Sequence, residues 1–368
     1  MKKVLKTIFS PLSVVSKFRF RLILLIAVTW VFFDTIYILI RFKWLHIYSR
    51  YYFFEYNEPW AIILREIIIF FMSALMGYVL VFNFKRNIRD FPLWLNFILK
   101  TVLLLALCFL MNFLVHFAYS IVISNLSPAL AWSDFVSDAF TTYWILEKIP
   151  SWFLIFFVTQ LIIEITEKYS PGIFLDIFFG KYVHPRVEKR IVMFIDLKDS
   201  TPIAEKLGHS DYFRFIRDFI YFISTALIEY GGRIYQYVGD EIVVSWPYTQ
   251  RNTKRCMASL IEARKLLQRN SERFRRRFGV APEFRVGIHA GEVTVGEIGV
   301  IKKDLAMSGD TMNTTARIRS ACSELNQKFI VSKDFMEAID LEKWQAESLG
   351  VIDLKGKANG VELFALKI

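Results

Sequence analysis

The first 165 residues carry apolar runs longer than a soluble core uses, and no other feature constrains the fold as strongly. A helix that crosses a membrane needs about 20 mostly apolar residues. Four stretches are candidates: about 20–40, 60–82, 93–123 and 143–165. The fourth has the shortest clean run, SWFLIFFVTQLII, with Glu147, Lys148 and Pro150 near its start. Basic residues flank the candidates unevenly. Lys2, Lys3, Lys6, Lys17, Arg19 and Arg21 precede the first with no acid among them. Lys85, Arg86 and Arg89 lie between the second and third, whereas Asp134 and Asp138 follow the third. Lys and Arg favour the cytoplasmic side. Four spans then put both chain ends inside, and the chain is expected to be a multi-pass protein of the cell (inner) membrane with lipid as a partner. The first run is too long for a cleavable signal, and no small-residue cleavage site follows it.

Ionisable and polar groups inside such spans are costly in lipid. Asp34 is one. Asn112, His116 and Tyr119 share a face of the third candidate at helical spacing. A sensing site would use them, but hydrogen bonding between helices is the commoner role.

Hydrophobic residues make up 54% of the chain, and the excess lies in this half. The remainder has ordinary density of Gly and charge and is long enough for one domain with its own core. A wholly soluble, fibrous or disordered chain is excluded. The net charge of +11 is shared by both halves, so no nucleic-acid partner is expected. Cys108, Cys256 and Cys322 have no metal-ligand spacing and form no disulfide framework.

A turn, Ser170-Pro171-Gly172, opens the soluble half. The apolar, β-branched run Ile191–Ile195 predicts a buried strand. It ends at Asp196, and a helical pattern follows. A carboxylate at a strand end beside a helix N-terminus suits a cation and phosphates. Next, GGRIYQYVGDEIVVSW predicts a hairpin of Arg233–Tyr237 and Ile242–Trp246, with Gly239 giving the tight turn and Asp240 a carboxylate at its tip. Two carboxylates side by side, with substrate phosphates, are a typical holder for hard divalent ions. Taken singly, each Asp is more often a turn or cap residue.

The ordered blocks FIDLKDST, YQYVGDEIV, RVGIHAGEVTVGEIG, SGDTMNTTARI and LKGKANGVELFAL resemble the class III nucleotidyl cyclase family of adenylate and guanylate cyclases. The resemblance covers about 188–368, after a membrane region at 1–169 and a linker at 170–187. It implies an α+β, ferredoxin-like βαββαβ domain with a central, mainly antiparallel sheet, and a homodimer whose active sites lie between chains. It implies two Mg²⁺ or Mn²⁺ per site, held by Asp196 and Asp240. Asn313 would orient the ribose, Arg317 would meet charge on the α-phosphate, and Lys355 would contact the terminal phosphates. Leu197, Gln236 and Ala306 complete the substrate surface. The aspartates would come from one chain, and Asn313, Arg317 and Lys355 from the other.

The pattern departs from the family at the purine-selecting positions. Adenine-specific members usually have Lys with Asp or Thr there, and guanine-specific members Glu with Cys. Gln236 and Ala306 match neither pair. ATP is expected, because no Glu is present to accept from guanine. GTP is the alternative, since a Gln amide both donates and accepts. Asp199-Ser200 stands where Gly-Phe is common. A catalytically inactive, nucleotide-binding signalling domain is the non-enzymatic alternative, and the retained Asp, Asn, Arg and Lys argue against it. VGDEI also resembles the GGDEF signature of diguanylate cyclases, but in one hairpin only. The basic run RNSERFRRRFG is expected to be a solvated helix end rather than a lipid-headgroup site, and His289 a packing residue.

Overall fold

A computed structural model of the chain describes residues 14–43, 59–84, 91–141, 144–168, 176–177, 179–300, 304–338, 346–355, 357 and 359–368. Lys2, Lys3, Lys6, Lys85, Arg86, Arg89 and the Ser170-Pro171-Gly172 turn lie outside the described residues. Two compact units divide it, one at Ser16–Lys168 and one that runs from Tyr169 to Ile368.

The first unit is helical: α1 (Val14–Lys43), α2 (Pro59–Tyr78) continuing as a π-helical segment (Val79–Phe84), α3 (Leu93–Val122), α4 (Pro128–Thr141) and α5 (Trp144–Lys168). Among the described residues, three stretches are long and apolar enough to cross a membrane: Ser16–Ile40, Trp60–Phe82 and Trp94–Val122. The fourth expected span is different. Its apolar part, Pro150–Ile165, is shorter, and Pro150 lies inside α5. Helix α4 also occupies a stretch expected to be a connecting loop. Its apolar residues Ala131 and Phe135 are buried, with Phe135 packed against Phe113 of α3.

Ile26, Trp30, Ile69, Met76, Leu104, Cys108 and Phe156 form the core of this unit, while Phe32, Trp60, Phe71, Val102 and Phe157 project outward. Such an apolar exterior suits hydrocarbon rather than water. Several polar groups are met by protein. Arg65 of α2 donates twice to the Asp34 carboxylate of α1, at 2.7 and 2.6 Å. The Trp30 indole donates to Thr159 of α5 at 2.9 Å. Asn112 donates to the Cys108 carbonyl at 2.8 Å, and His116 Nε2 lies 3.6 Å from the Asp134 carboxylate. Bonding between helices, the role anticipated here, is seen for Asp34, whereas the Asn112 bond stays within α3 and His116 meets Asp134 of α4 only at ion-pair distance.

The second unit runs β1 (Arg186–Leu197), α6 (Ser200–Glu229), β2 (Arg233–Val238), β3 (Glu241–Pro247), α7 (Gln250–Phe278), β4 (Phe284–Ile298), β5 (Asp304–Ser308), α8 (Asp310–Glu324), β6 (Phe329–Ser332), α9 (Lys333–Glu337), β7 (Ala346–Ile352) and β8 (Val361–Leu366). One mixed sheet has the order β2-β3-β1-β4-β6-β8-β7, with β5 paired to β4. Its pairings are antiparallel except β4 with β6.

Strand β1 is central and covered on both faces, which is why its run Ile191–Ile195 is continuously apolar. Ile191, Met193, Ile195 and Leu197 point toward α6 and α7, among Phe215, Phe219, Leu260 and Phe274. Val192 and Phe194 point the other way, to Tyr182, Val243, Val293, Val295 and Met312 of α8. Helix α7 is capped at both ends: the Thr249 hydroxyl accepts from the Asn252 amide at 3.1 Å, and Gly279 is left-handed at φ 71. Its terminal arginines are solvated and paired, Arg275 with Glu272 at 2.8 Å and Arg277 with Asp218 at 3.0 Å. His289 is buried and hydrogen-bonded to Ser332 at 2.7 Å, as a packing residue is.

The two glycines in VGIHAGEV have a steric cause. A Cβ on Gly287 would stand 2.5 Å from the Arg319 amide nitrogen, and one on Gly291 would stand 2.5 Å from Thr311 Oγ1. Both residues belong to α8, whose backbone lies directly on β4. Gly287→Ala is therefore expected to lift α8 and cost about 1–3 kcal/mol. Thermal unfolding of the purified chain measures this, and an unchanged midpoint would contradict the close approach.

Candidate active site

The antiparallel register of β1 and β3 builds the site. The last matched pair is Ile195 with Ile242. One step further, Asp196 lies across from Glu241, and Asp240 precedes it in the turn. Adjacent strands are about 4.8 Å apart, so Asp196, Asp240 and Glu241 occupy neighbouring backbone positions at one end of the sheet. Gly239, at φ 60, supplies the left-handed residue the turn needs. Alternation along β1 puts Asp196 on the same face as Phe194, so it projects toward α8.

Electrostatics reflect that crowding. Burial pushes the Asp196 carboxyl above its ordinary range; Arg319 opposes the shift and Asp240 adds to it. Glu241 is also raised, first by burial, with Arg319 opposing and Asp196 and Asp240 adding. The Tyr212 phenol of α6 is raised by burial and then by Asp240. Asp240 Oδ2 is buried with no hydrogen-bond partner among the described residues. A buried carboxylate oxygen left in that state is costly unless a cation or donor meets it.

A cation does stand beside its two acidic neighbours. Arg319 of α8 reaches Asp196 Oδ2 with Nη1 at 3.3 Å and bonds Glu241 with Nη2. Sequence reasoning missed Arg319, Glu241 and Tyr212. The available clue was spacing. Arg319 is two residues past Arg317, about 200° round the helix, so the two arginines serve opposite sides of α8.

Asn313 is exposed and Arg317 half-buried, on the outward face of α8. Within one chain, then, the face turned to Asp196 carries Arg319, not the Asn313–Arg317 pair. Lys355 is exposed ahead of β8, whereas neighbouring Lys357 is held by Asp310 at 2.9 Å. Gln236 is exposed on β2 and Ala306 half-buried on β5. The Tyr235 hydroxyl accepts from the Met307 amide at 3.1 Å, which ties these two strands together. Leu197 differs from expectation. Its side chain is 1% exposed and packs in the core beneath α6 and α7, so only its backbone borders the site.

No three His, Cys, Asp or Glu side chains among the described residues converge as a ready metal cage. The donor set is a pair of carboxylates that substrate oxygens would complete, which fits a hard divalent cation. Asp199, the residue that departs from the common Gly-Phe, is left-handed at φ 57 and ψ 39. Its carboxylate lies 3.8 Å from Lys198 Nζ and 3.9 Å from Arg285 Nη2. Two cations therefore hold it, with 59% of the side chain exposed.

Paired carboxylates at a strand end and a hairpin tip, beside a helix N-terminus, are a donor set of the kind that hard divalent cations and phosphates use. The profile of the adenylate and guanylate cyclase catalytic domain matches residues 182–367, and the chain belongs to that family. It is similar to adenylate cyclase 2 of Rhizobium meliloti (strain 1021), with 30% identity over 210 residues, 56% of this chain and 57% of that protein. It is 21% identical to the terminal-differentiation specific adenylate cyclase of Dictyostelium discoideum, over 55% of this chain and 10% of that one. Guanylate cyclase 2D of Rattus norvegicus matches at 23% over 52% of this chain and 18% of its own length. The chain thus spans little more than half of the first of these relatives and less of the others. A bacterial light-regulated adenylyl cyclase structure shares the fold, with a TM-score of 0.51 and 17% identity over 60% of this chain and 65% of that one.

The left-handed backbone at Asp199 yields a direct comparison. Asp199→Gly is expected to be more stable than Asp199→Ala by about 1 kcal/mol, because only glycine adopts that conformation without a Cβ clash. Paired thermal melts read the difference, and equal midpoints would refute the strain.

Proposed function

We propose that this chain is a membrane-anchored adenylate cyclase that converts ATP to 3′,5′-cyclic AMP and pyrophosphate for intracellular signalling. The observation that carries the reading is the meeting of Asp196 and Asp240 at one sheet edge, with an orphaned carboxylate oxygen between strand and turn. Asp196 and Asp240 would hold two Mg²⁺ or Mn²⁺. When bound, these ions lower the charge of the triphosphate and favour both attack and departure.

The chain's own residues do the positioning. Asn313 orients the ribose so that its 3′-oxygen lines up with the α-phosphorus. Arg317 offers a fork of donors to the α-phosphate as charge grows there. Lys355 meets the terminal phosphates. Gln236 faces the purine edge, and Ala306 leaves room beside it without a hydrogen bond. Because Asn313 and Arg317 look away from their own Asp196, the reading requires a homodimer in which each pocket draws on two chains. The order β2-β3-β1-β4, with α6 and α7 on one face, supports a ferredoxin-like core. Three long apolar helices and the shorter Pro150–Ile165 support multi-pass anchoring. Basic residues at the first span, Lys17, Arg19 and Arg21 among them, favour a cytoplasmic N-terminus, and with Pro150–Ile165 crossing as a fourth span the catalytic half lies on the same side of the cell membrane.

GTP is the second reading for the substrate, since the Gln236 amide suits either purine and guanylate cyclases are among the relatives. The membrane-embedded chain, supplied with Mn²⁺ and with ATP and GTP in parallel, is expected to yield mainly cyclic AMP. Dominant cyclic GMP would overturn the purine assignment, and no product from either would overturn the enzyme. Asp196→Ala and Arg317→Ala should each lower turnover by about 10²-fold or more. Mixed together, they should recover about a quarter of wild-type activity, because random pairing leaves one intact site in half of the dimers. No recovery on mixing would exclude the shared site.

A further inference from the structure

Arg319 lies outside the family roles assigned above, yet it makes the closest charged contacts in the site. Its guanidinium joins Asp196, at the end of β1, to Glu241, at the start of β3. It reaches them because Gly287 lies beneath its backbone without a side chain. The clamp is incomplete: Arg319 Nε and Asp240 Oδ2 are both buried without partners among the described residues. A guanidinium does not deprotonate in proteins, so its charge is relieved only by movement. The side chain is 28% exposed, which leaves it a route outward.

We propose that Arg319 is a resident cation of the carboxylate cluster, neutralising Asp196 and Glu241 in the metal-free chain, and that divalent metal binds only as this guanidinium withdraws. The inference rests on the metal-dependent reading above and assigns that site its own competitor. In the resting chain the arginine prevents three neighbouring acids from repelling one another across the β1–β3 edge. The same contact raises the metal concentration needed to fill the site. Arg317, on the other side of α8, has no part in this exchange, so one short helix serves two purposes: Asn313 and Arg317 outward to a partner's substrate, and Arg319 inward to its own chain's carboxylates.

Mn²⁺ binding tests this without reference to turnover. The full chain in detergent micelles is titrated with Mn²⁺, free ion being read by electron paramagnetic resonance. The titration is done with the metal alone and again with α,β-methylene-ATP, which cannot cyclise. Arg319→Gln is expected to bind Mn²⁺ about tenfold more tightly than wild type, while Arg319→Lys, which keeps the charge, stays near wild type. Without metal, Arg319→Gln should melt lower than wild type, and Mn²⁺ should raise its midpoint by more. Equal or weaker Mn²⁺ binding by a folded Arg319→Gln chain would overturn the displacement while leaving the metal site intact. Arg319→Met provides a second neutral variant. If neither folds without metal, the arginine is a fixed structural member and the inference fails. If wild type and both neutral variants bind no Mn²⁺ under either condition, the metal reading falls, and this one with it.

Discussion

The register between β1 and β3 is the constraint on which the catalytic half depends. With Ile195 opposite Ile242, the next position brings Asp196 to Glu241 and to the Asp240 turn. Slippage by one residue would turn every side chain of β1 to the other face. Leu197 would leave the core under α6 and α7, and Asp196 would enter it. Apolar packing on both faces of β1 forbids that exchange, so the hydrophobic core fixes the placement of the acids.

Helix α8 depends on the same economy of space. Gly287 and Gly291 let its backbone lie against β4, and its buried side, Thr311, Thr315 and Ile318, follows from that approach. Close packing leaves Asn313 and Arg317 outward and Arg319 inward. A side chain at Gly287 would disturb all three. The cyclase family's glycine-rich block therefore has a mechanical meaning here, which is to seat the helix that carries the polar groups.

In the helical half, an ion pair adds to the apolar core. The Asp34–Arg65 pair is 14% and 7% exposed at its side chains and links two helices whose outer surfaces are apolar. Burying such charges is tolerable only when each meets the other with good geometry. The bidentate contact provides it.

Legibility differed between these elements for physical reasons. Apolar length revealed three of the long helices, because crossing a membrane is a local, countable requirement. It did not reveal α4, whose fourteen residues mix Asp134 and Asp138 with apolar positions and find their partners on other helices, Phe113 of α3 and the cluster of Ile38 and Ala61 among them. The run Ile191–Ile195 disclosed a buried strand but not its full extent, since the polar flank Arg186–Lys189 is paired by β4 rather than by its own composition. Asp196 and Asp240 stood out as acids at a strand end and a turn. Their proximity, the inward reach of Arg319 and the burial of Leu197 are contacts between residues far apart in the chain. Sequence by itself determined which groups were available and on which local element each would sit, because periodicity and turn chemistry act over a few residues. Tertiary structure alone decided which charges meet, because that depends on strand register and on how closely α8 approaches β4.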